Sequence, residues 1–207
     1  MNSKNALIIM TKNPELGKCK TRLAKTLGDK KALEIYIKLI DYTAKIAKEV
    51  EADKFIYSTD VLTDSKRWEC PNTFFSIQSK GDLGERMNNA VQNVLNQGYE
   101  KIIILGSDCA EINSSDINSA FDQLNNHDYI LGPALDGGYY LIGMKEVSPT
   151  LFHDMIWSTE HVLSDSISRI KAKNSSYFLL EEKSDIDFEE DLKREGYVDF
   201  QLIIENS

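Results

Sequence analysis

Residues 102–105 are four consecutive apolar residues, Ile-Ile-Ile-Leu, that end at Gly106 and lie between two segments of helical periodicity. A strand buried on both faces reads as such a run, whereas a strand with one face in water alternates apolar with polar residues. The run therefore demands a parallel sheet covered by helices on both sides. Residues 6–11 form a second run of this kind. A polar loop follows, and then a helix whose buried face is Leu33, Tyr36, Leu39/Ile40, Thr43 and Ile46/Ala47.

The remaining segments fit the same plan. Residues 54–58 and 74–78 read as short strands, and Met87, Ala90/Val91 and Val94/Leu95 mark an amphipathic helix that stops at Gly98. Ser114 or Ser115 caps a third helix that runs to about Asn126. Residues 129–131 and 139–144 read as strands separated by the turn Asp136-Gly137-Gly138, a hairpin-like spacing that adds an antiparallel element to the sheet. A helix over residues 159–173, a strand over 177–181 and a short helix after Asp187 complete the chain. The expected fold is α/β, in three layers, with a mostly parallel central sheet, helices on both faces and an antiparallel addition. At 207 residues, 42% of them apolar, one core can serve the whole chain, so residues 1–207 are expected to form a single domain.

Charge narrows the choice of partner. The formal charge is −9, from 24 Lys and Arg against 33 Asp and Glu, and no basic run is long enough to track a phosphate backbone. Composition thus argues against nucleic acid and anionic membranes, while a mononucleotide needs only a few local cations. The apolar stretch at residues 6–10 is too short for a signal-peptide core or a membrane span, which predicts a cytoplasmic protein without membrane insertion. Cys19, Cys70 and Cys109 are odd in number and far apart, and His127, His153 and His161 lack ligand spacing. Neither a disulfide framework nor a zinc site is expected.

Ligands of open α/β sheets bind beyond the carboxyl ends of the strands, and four segments there carry chemistry. Lys12-Asn-Pro-Glu-Leu-Gly-Lys-Cys-Lys-Thr-Arg-Leu23 brings Lys12, Lys18, Lys20 and Arg22 to a loop and a helix start, where backbone amides and cations together can hold phosphate. It is not a Walker loop, because Lys12 and Cys19 stand where Gly and Ser or Thr are needed, and it lacks the spaced glycines of a dinucleotide fingerprint. A solvated basic loop would have the same composition. Gly106-Ser-Asp108 puts a carboxylate at the mouth of the sheet, able either to hold a hard cation or to enter a turn.

In Asp136-Gly137-Gly138-Tyr139-Tyr140 the glycines suit a turn, while the tyrosines, with Gly132, Pro133 and Ala134 before them, suit a ligand-width opening with aromatic walls. Asp187 with Glu190 fits a helix capping box and leaves one carboxylate oxygen for a metal. Asp82 with Glu85 is another capping box, opening the helix that carries Arg86, a candidate contact to the donor. Trp157, before a Ser158 cap, reads as a hydrophobic staple to Val162.

Taken in order, KNPELGKCKTRL, GDLGERM, GSDCA, GPALDGGYYLIG, WST and DIDFEEDL resemble the motifs of the small bacterial glycosyltransferase-like family of the nucleotide-diphospho-sugar transferase superfamily, whose fold is termed GT-A. The resemblance covers about residues 5–195. The first motif is also similar to the opening of the phospholactate guanylyltransferases, and DIDFEEDL to the ending of the molybdenum cofactor nucleotidyltransferases. Lys12-Asn-Pro departs from the Gly-Gly-x-Gly or Gly-Gly-x-Ser opening usual in nucleotidyltransferases, and Ala110 stands where relatives often have Pro.

The resemblance implies a GT-A-like fold, phosphate contacts from Lys12, Lys20 and Arg22, and Mg2+ or Mn2+ held by Asp108 with Asp187. It implies a metal-dependent transferase that takes a nucleotide sugar or nucleoside triphosphate and a small-molecule acceptor. Glycosyl transfer is the favoured reading, with Gly137, Gly138, Tyr139 and Tyr140 around the sugar or acceptor and Asp136 as base or sugar-orienting group. A nucleotidyltransferase that releases pyrophosphate and a non-catalytic nucleotide-sugar binding protein are the alternatives.

Overall fold

A computed structural model describes residues 4–194 together with Tyr197 and Phe200. The expected domain over residues 1–207 reaches outside the described residues at both ends. In chain order the elements are β1 (Asn5–Thr11), α1 (Thr21–Glu49), β2 (Asp53–Ser58), β3 (Thr73–Ile77), α2 (Leu83–Leu95), β4 (Lys101–Leu105) and α3 (Ser114–Gln123). Then come β5 (Tyr129–Pro133), β6 (Tyr139–Met144), α4 (Pro149–Phe152), α5 (Val162–Ala172) and β7 (Tyr177–Leu179), with short 3-10 helices at Lys66–Trp68 and Glu189–Lys193.

Seven strands form one sheet in the order β3-β2-β1-β4-β6-β5-β7. β6 runs antiparallel to both of its neighbours, β4 and β5, and the other pairings are parallel. This is the mostly parallel sheet with an antiparallel addition that the apolar runs and the Asp136-Gly137-Gly138 turn predict. Successive side chains of a strand leave on opposite faces. Leu7, Ile9, Ile103 and Leu105 therefore join Tyr36 and Ile40 of α1 in one core, while Ala6, Ile8, Ile102 and Ile104 join Met87 and Val91 of α2 in the other. With both faces dry, β1 and β4 have no reason to alternate.

A third cluster bears directly on the site. Leu23 and Leu39 of α1 pack with Ala110, Ile186 and Leu192, all nearly inaccessible to water. Each full burial of such a Leu or Ile contributes about 1.5–3 kcal/mol. These residues flank Arg22, Asp108 and Asp187, so their packing draws three distant stretches of chain together, helped by a backbone bond from the Ile186 N–H to the Asp108 carbonyl at 3.2 Å.

Several boundaries differ from the periodicity reading. Gly28 (φ 80, ψ 160) breaks α1 near its start, and Ile35 takes the inner position expected for Leu33, which is only partly buried. Asn113, not Ser114 or Ser115, caps α3, because Asp116 completes a reciprocal capping box with it, and α3 stops at Gln123. α5 begins only at Val162. Ser158 lies at φ 62 instead of capping a helix, and the Trp157 ring packs over Gly84 and near Phe152. β7 ends at Leu179, although an isolated bridge from Ala134 to Lys183 continues its course. Cys19, Cys70 and Cys109 are free thiols, and no helix among the described residues is long and apolar enough to cross a membrane.

Candidate active site

β1, β4, β5 and β7 run in one direction, so the segments that follow them meet at one edge of the sheet, and the opposed β6 starts there with Tyr139. The loop after β1 is held by Tyr36 of α1, whose hydroxyl donates to the Lys12 carbonyl at 3.1 Å and accepts from the Lys12 N–H at 3.3 Å. Asn13 locks the next position, donating to the Val61 carbonyl and accepting from the Thr63 N–H, both at 2.9 Å. Lys12 Nζ donates to the Lys18 carbonyl and lies 5.7 Å from the centre of the Tyr36 ring. Lys18 itself turns to Glu15, 2.6 Å away.

Lys20 precedes α1 with a left-handed backbone, φ 47, and its side chain is only 4% exposed. Its ammonium lies 2.8 Å from Asp108 Oδ2 and 3.2 Å from Asp187 Oδ1. Arg22, in the first turn of α1, donates to Asp187 Oδ2 at 3.0 Å and lies over the Phe188 ring. Burial alone would push the Lys20 ammonium down, but the charges of Asp108 and Asp187 outweigh it and hold Lys20 above the usual lysine range. Burial would likewise raise Asp108, yet Lys20 holds it below the usual carboxylate range. Asp185, nearby, is pushed up to about 7 by burial and then by the charge of Asp108. The sequence reading passes over Asp185, although acids at alternate positions of an extended segment share a face.

Asp187 does not form the expected capping box with Glu190. The carboxylate of Asp191 does the capping, accepting from the N–H groups of Asp187 at 2.8 Å and Phe188 at 2.7 Å. That leaves the Asp187 side chain to Lys20 and Arg22. Glu190 is exposed.

Asp136 accepts from the Gly138 N–H at 2.8 Å. Gly137 has φ 86, and a Cβ there would overlap the Glu160 backbone, so the turn needs glycine on two counts. The Leu163 N–H binds the Gly137 carbonyl at 2.9 Å and ties the turn to α5. The two tyrosines part company, because neighbours on a strand face opposite sides. Tyr139 packs with the α2 side of the sheet. Tyr140, expected as a second aromatic wall, borders the apolar cavity beside Tyr139, but its ring lies in the α1 core against Gly132, where a Cβ would lie 2.5 Å from Cζ, and its hydroxyl donates to the Glu181 carbonyl at 2.9 Å. Arg86 is not brought to this edge either: its Nε donates to the Gly81 carbonyl at 2.9 Å, and it lines neither opening of the site.

Two openings meet at Asp108 and Asp136. One is a polar cleft of about 350 Å³ that also exposes Lys12, Lys20, Arg22, Tyr36 and Asp187. The other is a mainly apolar cavity of about 300 Å³ along Tyr139 and Trp157. A larger groove of about 570 Å³ beside Asp82 and His153 is lined by neither Asp108 nor any Lys or Arg.

Asp108 and Asp187 already share one cation, the Lys20 ammonium. Carboxylate oxygens of this kind suit Mg2+ or Mn2+. Among the described residues no three His, Cys, Asp or Glu side chains gather into a ready metal cluster. Mg2+ is commonly held by one or two carboxylates while phosphate oxygens and water complete the shell, and the Asp108–Asp187 pair offers that number of carboxylates.

Residues 42–159, more than half of the chain, match the family described as "Uncharacterized protein conserved in bacteria (DUF2064)". No curated protein matches the chain. Among solved structures, a Desulfovibrio desulfuricans G20 protein provisionally named a nucleotide-diphospho-sugar transferase is similar at 26% identity and TM-score 0.85, over 99% of this chain and 98% of that one. A cytidylyltransferase from Leptospira borgpetersenii serovar Hardjo-bovis shares the fold at 15% identity and TM-score 0.58, over 99% and 95% of the two chains. So does a CMP:2-keto-3-deoxy-manno-octonic acid synthetase complexed with CTP, at 10% identity and TM-score 0.59, over 96% and 99%. The chain belongs to the DUF2064 family and has the fold of the nucleotide-diphospho-sugar transferase superfamily.

Proposed function

We propose that this protein is a transferase that takes a nucleotide sugar and moves its glycosyl group to a hydroxyl-bearing acceptor. The observation that carries the proposal is the meeting of Lys12, Lys20 and Arg22 with Asp108 and Asp187 in one polar cleft at the carboxyl edge of the sheet. Three cations beside a helix start suit a diphosphate. The provisional name of the D. desulfuricans relative supports the same reading.

In this reading Lys12, Lys20 and Arg22 bind the diphosphate and offset the charge that grows on it as it departs. Asp108 and Asp187 would hold Mg2+ or Mn2+, which when bound adds positive charge beside the phosphate oxygens. The acceptor oxygen forms a bond to the anomeric carbon, the bond from that carbon to the phosphate oxygen breaks, and the nucleoside diphosphate leaves with the electron pair. Asp136, at the junction of the two openings, takes the acceptor proton.

Glycosyl transfer is favoured over nucleotidyl transfer by the opening loop. Lys12-Asn13-Pro14 lacks the glycines that let a triphosphate lie against the backbone, and Asn13 is tied to Val61 and Thr63. The test is incubation with Mn2+ and a panel of nucleotide sugars and nucleoside triphosphates, with products identified by phosphorus NMR. Slow hydrolysis of a nucleotide sugar to nucleoside diphosphate is expected. Pyrophosphate from a triphosphate, with no diphosphate from any sugar donor, would replace this reading with nucleotidyl transfer.

A further inference from the structure

We infer that the acceptor is a neutral, largely apolar alcohol that enters the cavity along Trp157; the inference rests on the transferase reading and names its second substrate. The cavity walls are Met10, Leu83, Met87, Ile142, Trp157 and Val162. Met87, Ile142 and Val162 are 4%, 1% and 5% exposed, so core side chains bound the space without filling it. At about 300 Å³ the cavity is at the small end of sites for small molecules.

Its acidic groups have no basic group beside them in the lining. The acidic side chains in the lining are Asp108, Asp136 and Asp185, and no Lys or Arg joins them. Lys12, Lys20 and Arg22 line the neighbouring polar cleft instead. Arg169, whose charge is felt by Tyr139, is engaged by the carbonyls of Thr150, Leu151, His153 and Asp154. A phosphate or carboxylate in the cavity would therefore be a desolvated anion beside Asp108 and Asp136, with Lys20, the partner of Asp108, lining only the other opening.

An apolar body meets no such penalty and gains from leaving water. Ser158 and Thr159, also in the lining, are neutral polar residues beside the carboxylates. Asp108 and Asp136 are common to both openings, so a hydroxyl at that end of the cavity reaches the donor. There the alcohol oxygen bonds to the anomeric carbon, the nucleoside diphosphate leaves with the electron pair, and the proton passes to Asp136.

The test is calorimetric titration of the full chain with 4-phenyl-1-butanol and with its phosphate monoester, each with and without UDP. The alcohol should bind, and the ester should bind at least about tenfold more weakly, as expected for an unpaired charge. Leu83→Arg, at a wall position 45% exposed, should fold and should narrow or reverse that preference by supplying the missing cation. Met87→Phe should weaken the alcohol alone and leave UDP binding as it was. Failure of the alcohol to bind in either condition, an ester that binds as tightly as the alcohol, or displacement of the alcohol by UDP would each overturn the inference. Alcohol binding that persists while no nucleotide binds would sink the transferase reading and leave the cavity's preference standing.

Discussion

The Lys20 ammonium lies 2.8 Å from Asp108 Oδ2 across 88 positions of sequence, and reaches Asp187 Oδ1 at 3.2 Å across 167. A lysine that composition would assign to a solvated loop is thus the buried junction of three chain segments. Lys20→Ala should weaken nucleotide-sugar binding roughly tenfold to hundredfold, the worth of a charge-assisted hydrogen bond. It should also lower stability, which loss of a surface lysine would not. Removing one partner of a buried pair costs about 1–3 kcal/mol, and with Asp108 and Asp187 side chains 44% and 33% exposed the lower part of that range applies. Calorimetry and thermal unfolding on one preparation check both effects. Normal binding with an unchanged melting temperature would return Lys20 to the solvent.

Asp108→Asn keeps the size of the side chain and removes its charge. Nucleotide-sugar binding in Mn2+ should weaken about tenfold or more, and chelation should weaken the unaltered protein to a similar degree. Chelation of the variant should then add little. Affinity that is the same with and without chelator would eliminate the metal from the proposed function.

The cap at Asp187 gives a comparison between neighbouring acids. Asp191→Ala should cost about 1 kcal/mol, because two N–H groups lose their acceptor, whereas Glu190→Ala should change stability little. Asp191→Ala should also weaken nucleotide binding by loosening Asp187. Urea unfolding of the two variants measures the first effect, and equal losses would contradict the assignment of the cap.

Gly137→Ala combines a positive φ with overlap on the Glu160 backbone, whereas Gly98→Ala meets a positive φ in open space. The strain term alone is about 1–3 kcal/mol for each, and overlap adds a further cost of about 1–3 kcal/mol at Gly137. Chemical denaturation should therefore find Gly137→Ala the more destabilising of the two. Equal losses would show that the turn can move away from Glu160.

Burial leaves a local record in a sequence, and local hydrogen bonding leaves another. Residues 102–105 could not be wholly apolar in a half-exposed strand, so a sheet covered on both faces was legible in the sequence. The Asp82–Glu85 capping box and the Asp136-Gly137-Gly138 turn were legible too, since their partners lie within a few residues. The order of the strands, and the fact that β6 runs against both neighbours, came only with the structure.

The candidate site divides in the same way. Lys12, Lys20, Arg22, Asp108 and Asp187 stood out as residue types placed after strands, and they do meet in one cleft. Whether Glu190 or Asp191 caps, whether Tyr140 faces core or cleft, that Asp185 lies beside the site and that Arg86 does not were undetermined by spacing. One residue of shift along a strand or around a turn reverses each answer, and neighbouring positions offer similar chemistry. Sequence alone determined which chemical groups lie close to each strand end, because those relations span a few residues. Tertiary structure decided which of them face one another, because that depends on Leu23, Ala110, Ile186 and Leu192 packing together across the length of the chain.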